Sequence, residues 1–547
     1  MKATGYVGIG GGWGDEGKGK VETFFTQKAI KGLLEKHKEV LGKLLIIRAT
    51  GGANAGHTVF IGDTKIATHI LPGGVGYRES TNLIGKGTLI ELEVFFRELE
   101  EVIKLGAENV EERVKVDSMA NILLPCHKVV EKIQDWLREN PIGTTGRGMG
   151  PGFGDATTRF GIKVEHLLLP IEELTRVISE LFAIHRPLVE SYEKWLKAKE
   201  EEAKAIEHKA RNLEAQSKCP ACEFTNRERL FIQAEELLEE VEKIRKSMWL
   251  NSGYEAENDK KPLFTEEEWK AVKALFDAPE EVAKTYKAYG ERLRPMVVDG
   301  FDFVGQYKND PEATIIVEGA QSIFLSISEG LYPMVTSSDA NTLGTLAGAH
   351  LNHKDPTEVV VIFKAYLSKV GSGAFVTEMP SHIGTDGKLI PYDEADALEG
   401  DIYRETCGEY GATTKRPRRI GYFDAVQAKT SVEKAGADYI CINCIDSLGI
   451  MGKKIGKLKI CTSYILGDGR EVEYCPQTIN INGKVPKPKY DAEIEGGWEV
   501  TEDMKTYESL PEKAKKYITT IEKLVGCKAK YIGIGPKNED IIVREDV

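Results

Sequence analysis

Residues 10 to 20 read Gly-Gly-Gly-Trp-Gly-Asp-Glu-Gly-Lys-Gly-Lys, directly after the apolar run Tyr6 to Ile9. From Gly12 to Lys18 the two glycines and the lysine have the spacing of a phosphate loop. Small residues let backbone N–H groups approach phosphate oxygens, and Lys18 adds a point charge. The hydroxyl residue that usually follows the lysine is Gly19, which leaves Asp15 as the natural metal-facing group. A bare glycine-rich turn has a similar composition, but an acid and two lysines inside it favour anion handling. A second cluster runs from Arg48 through Gly51, Gly52, Asn54 and Gly56 to His57 and Thr58. There, glycine pairs admit a ligand to the backbone, and His57 is either a proton donor or a satisfied structural histidine. A third, Gly143 to Pro151 followed by Arg159, combines hydroxyls, amides and guanidinium into a monophosphate pocket. Two more are Glu318-Gly319-Ala320-Gln321 with Tyr332 to Ser338, and Gly411 to Arg419. The three arginines Arg416, Arg418 and Arg419 on that proline-stiffened loop form either a solvated charge run or a dicarboxylate clamp.

These segments need a scaffold that delivers loops to one place. Short β-branched runs at Tyr6–Ile9, Leu44–Ile47, Thr314–Val317, Val359–Phe363 and Tyr439–Ile442 alternate with glycine-rich turns and helical stretches such as Leu92 to Leu105. That alternation predicts an α/β fold: a large, mostly parallel central sheet with a phosphate-loop-like nucleotide site near the start. Residues 186–248 differ, being rich in Glu, Lys and Ala. Tyr192, Leu196, Lys199, Ala203, Ile206, Ala210 and Leu213 alternate steps of four and three, as do Leu230, Ala234, Leu237, Val241, Ile244 and Met248. Each series is a heptad seam. Together they predict an antiparallel coiled-coil hairpin over about 188–248, joined by 214–229, within a helical insert of 186–300. The insert would divide the catalytic domain into 1–185 and 301–547.

Cys219 and Cys222 fall near the distal turn of that hairpin. Two thiolates are half of a closed zinc site. The pair is therefore a plain turn, a redox pair, or half of a Zn²⁺ site that two chains share tip to tip, which would add self-association through the insert.

Composition narrows the function classes. The chain has 547 residues, of which 41% are hydrophobic, enough for a large core without staples. A formal net charge of -13 argues against nucleic acid and anionic membrane as partners. No run approaches a transmembrane helix, and Met1 to Gly12 has no signal-peptide pattern. Nine scattered cysteines suit a reducing, cytoplasmic setting.

The order and content of these motifs resemble the adenylosuccinate synthetase family over most of residues 5–165 and 312–450, with a weaker tail near Gly533 and Gly535. The resemblance implies a ligase of purine biosynthesis that uses GTP to join L-aspartate to IMP through a 6-phosphoryl intermediate. It implies Asp15 as the base toward N1, His57 as the acid toward the donor's phosphate bridge, and Lys18 as charge stabiliser. Mg²⁺ would be held by Asp15 and the carbonyl of Gly56. Gly14, Glu16, Gly17, Gly19, Lys20, Gly56, Thr58, Asp446, Gly533 and Gly535 would contact the triphosphate nucleotide. Asn54, Thr145, Arg159, Gln321, Thr336 and Arg416 would hold IMP, with Arg159 reaching a neighbouring subunit's site in a homodimer. Thr413, Thr414 and Arg418 would hold aspartate. The chain departs from the pattern at Lys415, where the family has Gly, at Cys444, where it has the Lys of its guanine-reading segment, and at Asn538, where it has Arg. Two other readings are a branch of the same fold that acts on dGMP, and a nucleotide-binding scaffold without catalysis. Asp15 and Arg416 weigh against the first. Joint retention of Asp15, Lys18 and His57 weighs against the second.

Overall fold

The computed structural model describes residues 3–38, 40–61, 64–139, 142, 144–218, 224–249, 262–355, 357–371, 373–384, 388–393, 396–411, 416–481, 483–501 and 503–547. An eleven-stranded sheet runs through its centre. Its strands are β1 Thr4–Gly10, β2 Leu44–Gly52, β3 Thr81–Ile90, β4 Val114–Asp117, β5 Asn121–Ile122, β6 Val297–Val298, β7 Thr314–Glu318, β8 Thr357–Lys364, β9 Tyr439–Asn443, β10 Ala529–Gly533 and β11 Ile541–Val543. Their spatial order is β11-β10-β9-β8-β1-β7-β2-β3-β4-β6, with β5 beside β3. Every pairing is parallel except β10 with β11.

The strands are apolar on both faces because helices cover both faces, as a parallel sheet requires. Ile46, Ile316, Val360 and Ile362 pack with Val21 and Phe25 of helix α1 (Lys18–Leu34) on one side. Their alternating neighbours Leu45, Ile47, Ile315, Val317, Val361 and Phe363 enter the larger core on the other side. The predicted strand segments all fall within these strands, and the helix expected at Leu92 to Leu105 spans Leu92–Lys104.

Three helices frame the far side of the site: α2 Pro125–Leu137, α3 Met149–Thr158 and α4 Ile171–Ser217. The last runs for 47 residues and packs against α5, Phe224–Ser247. Tyr192, Leu196, Ala203 and Ala210 are buried on α4, as are Ala234 and Val241 on α5 and Met248 just after it. Arg245 of α5 meets Glu207 and Glu200 of α4 at 2.8 and 3.3 Å, so the helices run in opposite directions. The hairpin differs from expectation at its ends. Helix α4 begins well before residue 188 and carries Pro187 inside it, and both helices reach further into the predicted 214–229 connection. The first turns of α4 instead bury Leu174, Ile178 and Leu181 against the sheet-bearing body of the chain. At the root of the arm, Tyr192 sits among Trp136, Trp195, Phe264 and Trp269, with ring centroids 5.0 to 5.4 Å away. Cys219 and Cys222 lie outside the described residues.

Candidate active site

Loops at the carboxyl ends of the parallel strands form the site, the usual place for ligands in open α/β sheets. Strand β1 ends at Gly10 and the chain turns into α1 through Gly17, whose φ of 85° is left-handed. Gly11 lies so close to Phe363 of β8 that a Cβ would enter the ring. These two positions require glycine for different reasons, one conformational and one steric.

Within the loop the Glu16 carboxylate is buried. It accepts the N–H groups of Gly12 and Gly14 at 3.1 and 2.7 Å, and Lys18 Nζ lies 3.2 Å from its other oxygen. The Glu16 side chain therefore shapes the loop and orients Lys18 from inside. Lys20 donates to the carbonyls of Gly535 and Asp540 at 2.6 and 3.3 Å, tying the loop to the chain's last hairpin. Asn443, at the end of β9, donates to the Glu16 carbonyl at 2.8 Å. Helix α6 (Ile445–Ile455) then starts from Cys444 in a left-handed conformation, with half-buried Asp446 in its first turn. Burial pushes the Cys444 thiol up to about 12, so it stays protonated. Asp446, Gly533 and the phosphate loop are thus gathered around Asn443, which also packs on Gly533.

Asp15 projects from the loop, its side chain 48% exposed, and forms a 2.8 Å ion pair with Arg418 Nη2. Arg418 Nη1 bonds to Glu409 Oε2 at 2.7 Å. The same buried carboxylate receives Lys364 Nζ at 2.7 and 3.0 Å and the Tyr366 hydroxyl at 2.6 Å. Burial raises the affinity of Glu409 for a proton, but the Lys364 and Arg418 cations more than offset this and hold it at about 2. An unfolded glutamate titrates near about 4.3. The resulting stability is present above that value and lost as pH falls toward the folded value. Wild-type protein should therefore lose stability between about pH 5 and 3 more steeply than Glu409→Gln. Equal slopes in urea unfolding would contradict this.

The 48–57 segment is held from below. Arg48, fully buried on β2, donates through Nη2 to the carbonyls of Ala55 and His69 at 3.2 and 3.3 Å. This leaves Gly56 exposed and His57 buried, with Nδ1 3.6 Å from Glu22 Oε2. Burial, then Arg48, Lys18 and His69, hold the imidazole pKa well below its usual value. Thr58 follows on the same strand, though its side chain lies outside the described residues. Asn54 Nδ2 reaches Thr336 Oγ1 at 3.5 Å, joining two residues expected at the nucleotide monophosphate. Gln321, at φ 63°, borders Gly10, and Ser322 donates to the Gly12 carbonyl at 2.7 Å. Thr145 and Arg159 are exposed, the latter closing α3 in a left-handed conformation.

Helix α3 is anchored by a buried hub in which His127 and His185 Nε2 lie 3.0 and 2.7 Å from Asp155 Oδ2. His127 Nδ1 accepts the Leu124 N–H at 3.0 Å. That fixes its proton on Nε2 and leaves no lone pair there for a cation.

Arg416 is exposed on the loop that carries Arg418, and its carbonyl accepts the Gly411 N–H at 2.8 Å. Thr413, Thr414 and Lys415 lie outside the described residues. Sequence reasoning missed Glu409, Lys364, Tyr366 and Glu22. The pair Glu409-Tyr410 just before the arginine loop was the available signal for the first.

A family model described as adenylosuccinate synthetase matches residues 7–226 and 240–542. Adenylosuccinate synthetase of Alkaliphilus metalliredigens (strain QYMF) is 31% identical over 538 residues, 98% of each chain. That of Clostridium perfringens (strain 13 / Type A) is 30% identical over 545 residues, 99% of each. Among solved structures, fully ligated adenylosuccinate synthetase from Plasmodium falciparum is similar with a TM-score of 0.67 at 26% identity, covering 99% of each chain.

Proposed function

We propose that this chain, which belongs to the adenylosuccinate synthetase family, works with Asp15 as base, His57 as proton donor and Arg418 as the cation that receives aspartate. It is a ligase that forms a C–N bond. GTP as phosphoryl donor and a homodimer with Arg159 at the neighbouring site belong to the same reading.

The observation that carries the reading is the Asp15–Arg418 ion pair, which joins the phosphate loop to the arginine loop some four hundred residues away. Asp15 takes the N1 proton of inosinate, and O6 attacks the γ-phosphorus as the diphosphate leaves. The aspartate amine then displaces the phosphate at C6. Much of the acceleration in such transfers comes from positioning and fixed charge. Lys18, held by Glu16, supplies one such charge. His57 offers a proton to the phosphate bridge. Mg²⁺ suits the hard oxygen donors of Asp15 and the exposed Gly56 carbonyl, and when bound it would neutralise phosphate charge. Arg418 bridges Asp15 and Glu409, so an incoming carboxylate competes with Asp15 for the same guanidinium. Asp446 can accept from N1–H and the 2-amino group of guanine, which supports GTP even with Cys444 beside it.

Arg418→Ala should raise the KM for aspartate more than about tenfold, the loss of a charge-assisted bond of about 1.5–3 kcal/mol. The KM for IMP should move far less, and equal weakening of both substrates would remove Arg418 from this role. Product analysis with inosinate and deoxyguanylate offered together tests the substrate: adenylosuccinate should dominate, and a predominantly 2-amino deoxy product would reassign it.

A further inference from the structure

Behind the phosphate loop, four ionisable side chains from different elements meet out of contact with solvent. Glu22 comes from α1, Arg48 from β2, His57 from the strand after the 53–56 turn, and Glu318 from the end of β7. One donor or acceptor atom each of Glu22, His57 and Glu318 lies within 4.8 Å of the others. Six polar atoms here are buried without a hydrogen-bond partner among the described residues: both Glu22 oxygens, Glu318 Oε2, His57 Nε2, and Arg48 Nε and Nη1. Buried polar groups are nearly always paired, so such a concentration needs a physical account.

We propose that Glu22 is a positioning residue: as a neutral carboxylic acid it holds Nδ1 of His57 as an acceptor, which leaves Nε2–H turned to the phosphate side. The inference rests on the donor role given to His57 above.

Two carboxylates beside one guanidinium cannot both keep their charge cheaply in a dry site. Glu318 is the better placed to stay ionised. Burial raises its pKa, to about 7, but Arg48 and the Gly73 N–H, which its Oε1 accepts at 2.7 Å, oppose that rise. Glu22 has no such donor among the described residues. Burial and the Glu318 charge drive it well above the carboxylate range, against the opposing pull of Lys18 and Arg48. The proton therefore resides on Glu22. Its Oε2 stands 3.6 Å from Nδ1, facing that nitrogen at just beyond hydrogen-bond length. A neutral imidazole has a single N–H, and the group facing one nitrogen decides which nitrogen carries it. An acid opposite Nδ1 puts the hydrogen on Nε2. An ionised carboxylate there would draw it to Nδ1 and leave Nε2 unable to donate.

Glu22→Gln keeps a neutral donor facing Nδ1, whereas Glu22→Leu keeps only bulk. In the full-length enzyme, Gln should hold kcat within about threefold and Leu should lower it about tenfold or more, with KM values little changed. Side-chain ¹⁵N spectra of histidine-labelled protein, with the His57 signals assigned by their loss in His57→Asn, report the tautomer without turnover. Wild type and the Gln variant should show a bare Nδ1 and protonated Nε2, and the Leu variant a mixed or reversed pattern. A protonated Nδ1 in wild type would overturn the proposal, even if the Leu variant failed to fold. So would a folded Gln variant as slow as Leu, the result expected if the carboxylate instead ligated a cation. Full activity of His57→Asn would instead defeat the role of His57, which separates the two failures.

Discussion

Asp15→Asn abolishes turnover while the protein stays folded. The substitution is nearly isosteric but removes the loop's exposed carboxylate, the one placed to take the N1 proton, along with a metal-facing oxygen. Loss of a general base costs about 10²-fold or more. Stability should change by less than about 1 kcal/mol, because the Asp15–Arg418 pair is half open to solvent and such pairs contribute little. Phosphate release that needs inosinate, donor and aspartate together measures the first quantity, and urea unfolding the second. A variant with more than a tenth of wild-type rate would remove Asp15 from the chemistry. A variant that loses activity only by unfolding would make it structural.

The second large effect is expected at a residue that no motif marks. Lys364 is buried and makes three short contacts, two to Glu409 and one of 2.9 Å to Ser368. Lys364→Met leaves the Glu409 carboxylate in a low-dielectric site with less than half its compensating charge. Removing one partner of a buried pair costs about 3–5 kcal/mol. The same change frees Glu409 to pull harder on Arg418, so aspartate should bind more weakly. Adding Glu409→Gln removes the stranded charge and should restore most of the lost stability in urea. A single variant destabilised by less than about 1 kcal/mol, or a double variant no better than the single, would show that Lys364 does not neutralise Glu409.

The difference between the loop and this network explains what the sequence could and could not reveal. The phosphate loop is one contiguous run, and its glycines, Asp15 and Lys18 are legible because the chemistry is written within eleven residues. The four-and-three spacing along α4 and α5 is local in the same way, and these two helices pack against each other. Glu409, Lys364 and Tyr366 are single residues in unremarkable surroundings. Their meaning arises only when the end of β8 meets the turn before Arg416, a juxtaposition made by the sheet. Glu22 is hidden differently. Among the apolar and threonine positions of α1 it looks like an ordinary solvated glutamate, and only the depth of that helix face makes it unusual. Glu16 shows a third limit. The family resemblance implies a nucleotide contact for it, and nothing in its residue type tells that its carboxylate turns inward onto the loop's own amides.

The place of β1 in the sheet sets a timetable for making the enzyme. This strand leaves a ribosome long before its neighbours in the sheet, residues 314–318 and 357–362. At about 5–20 residues per second, a nascent chain spends tens of seconds with both edges of β1 unpaired and apolar. Pairings of such sequence separation are also the slowest to form once available. The phosphate loop leans on Phe363 of β8 and Asn443 of β9, so a chain interrupted before them is expected to leave it unsupported beside exposed strand edges.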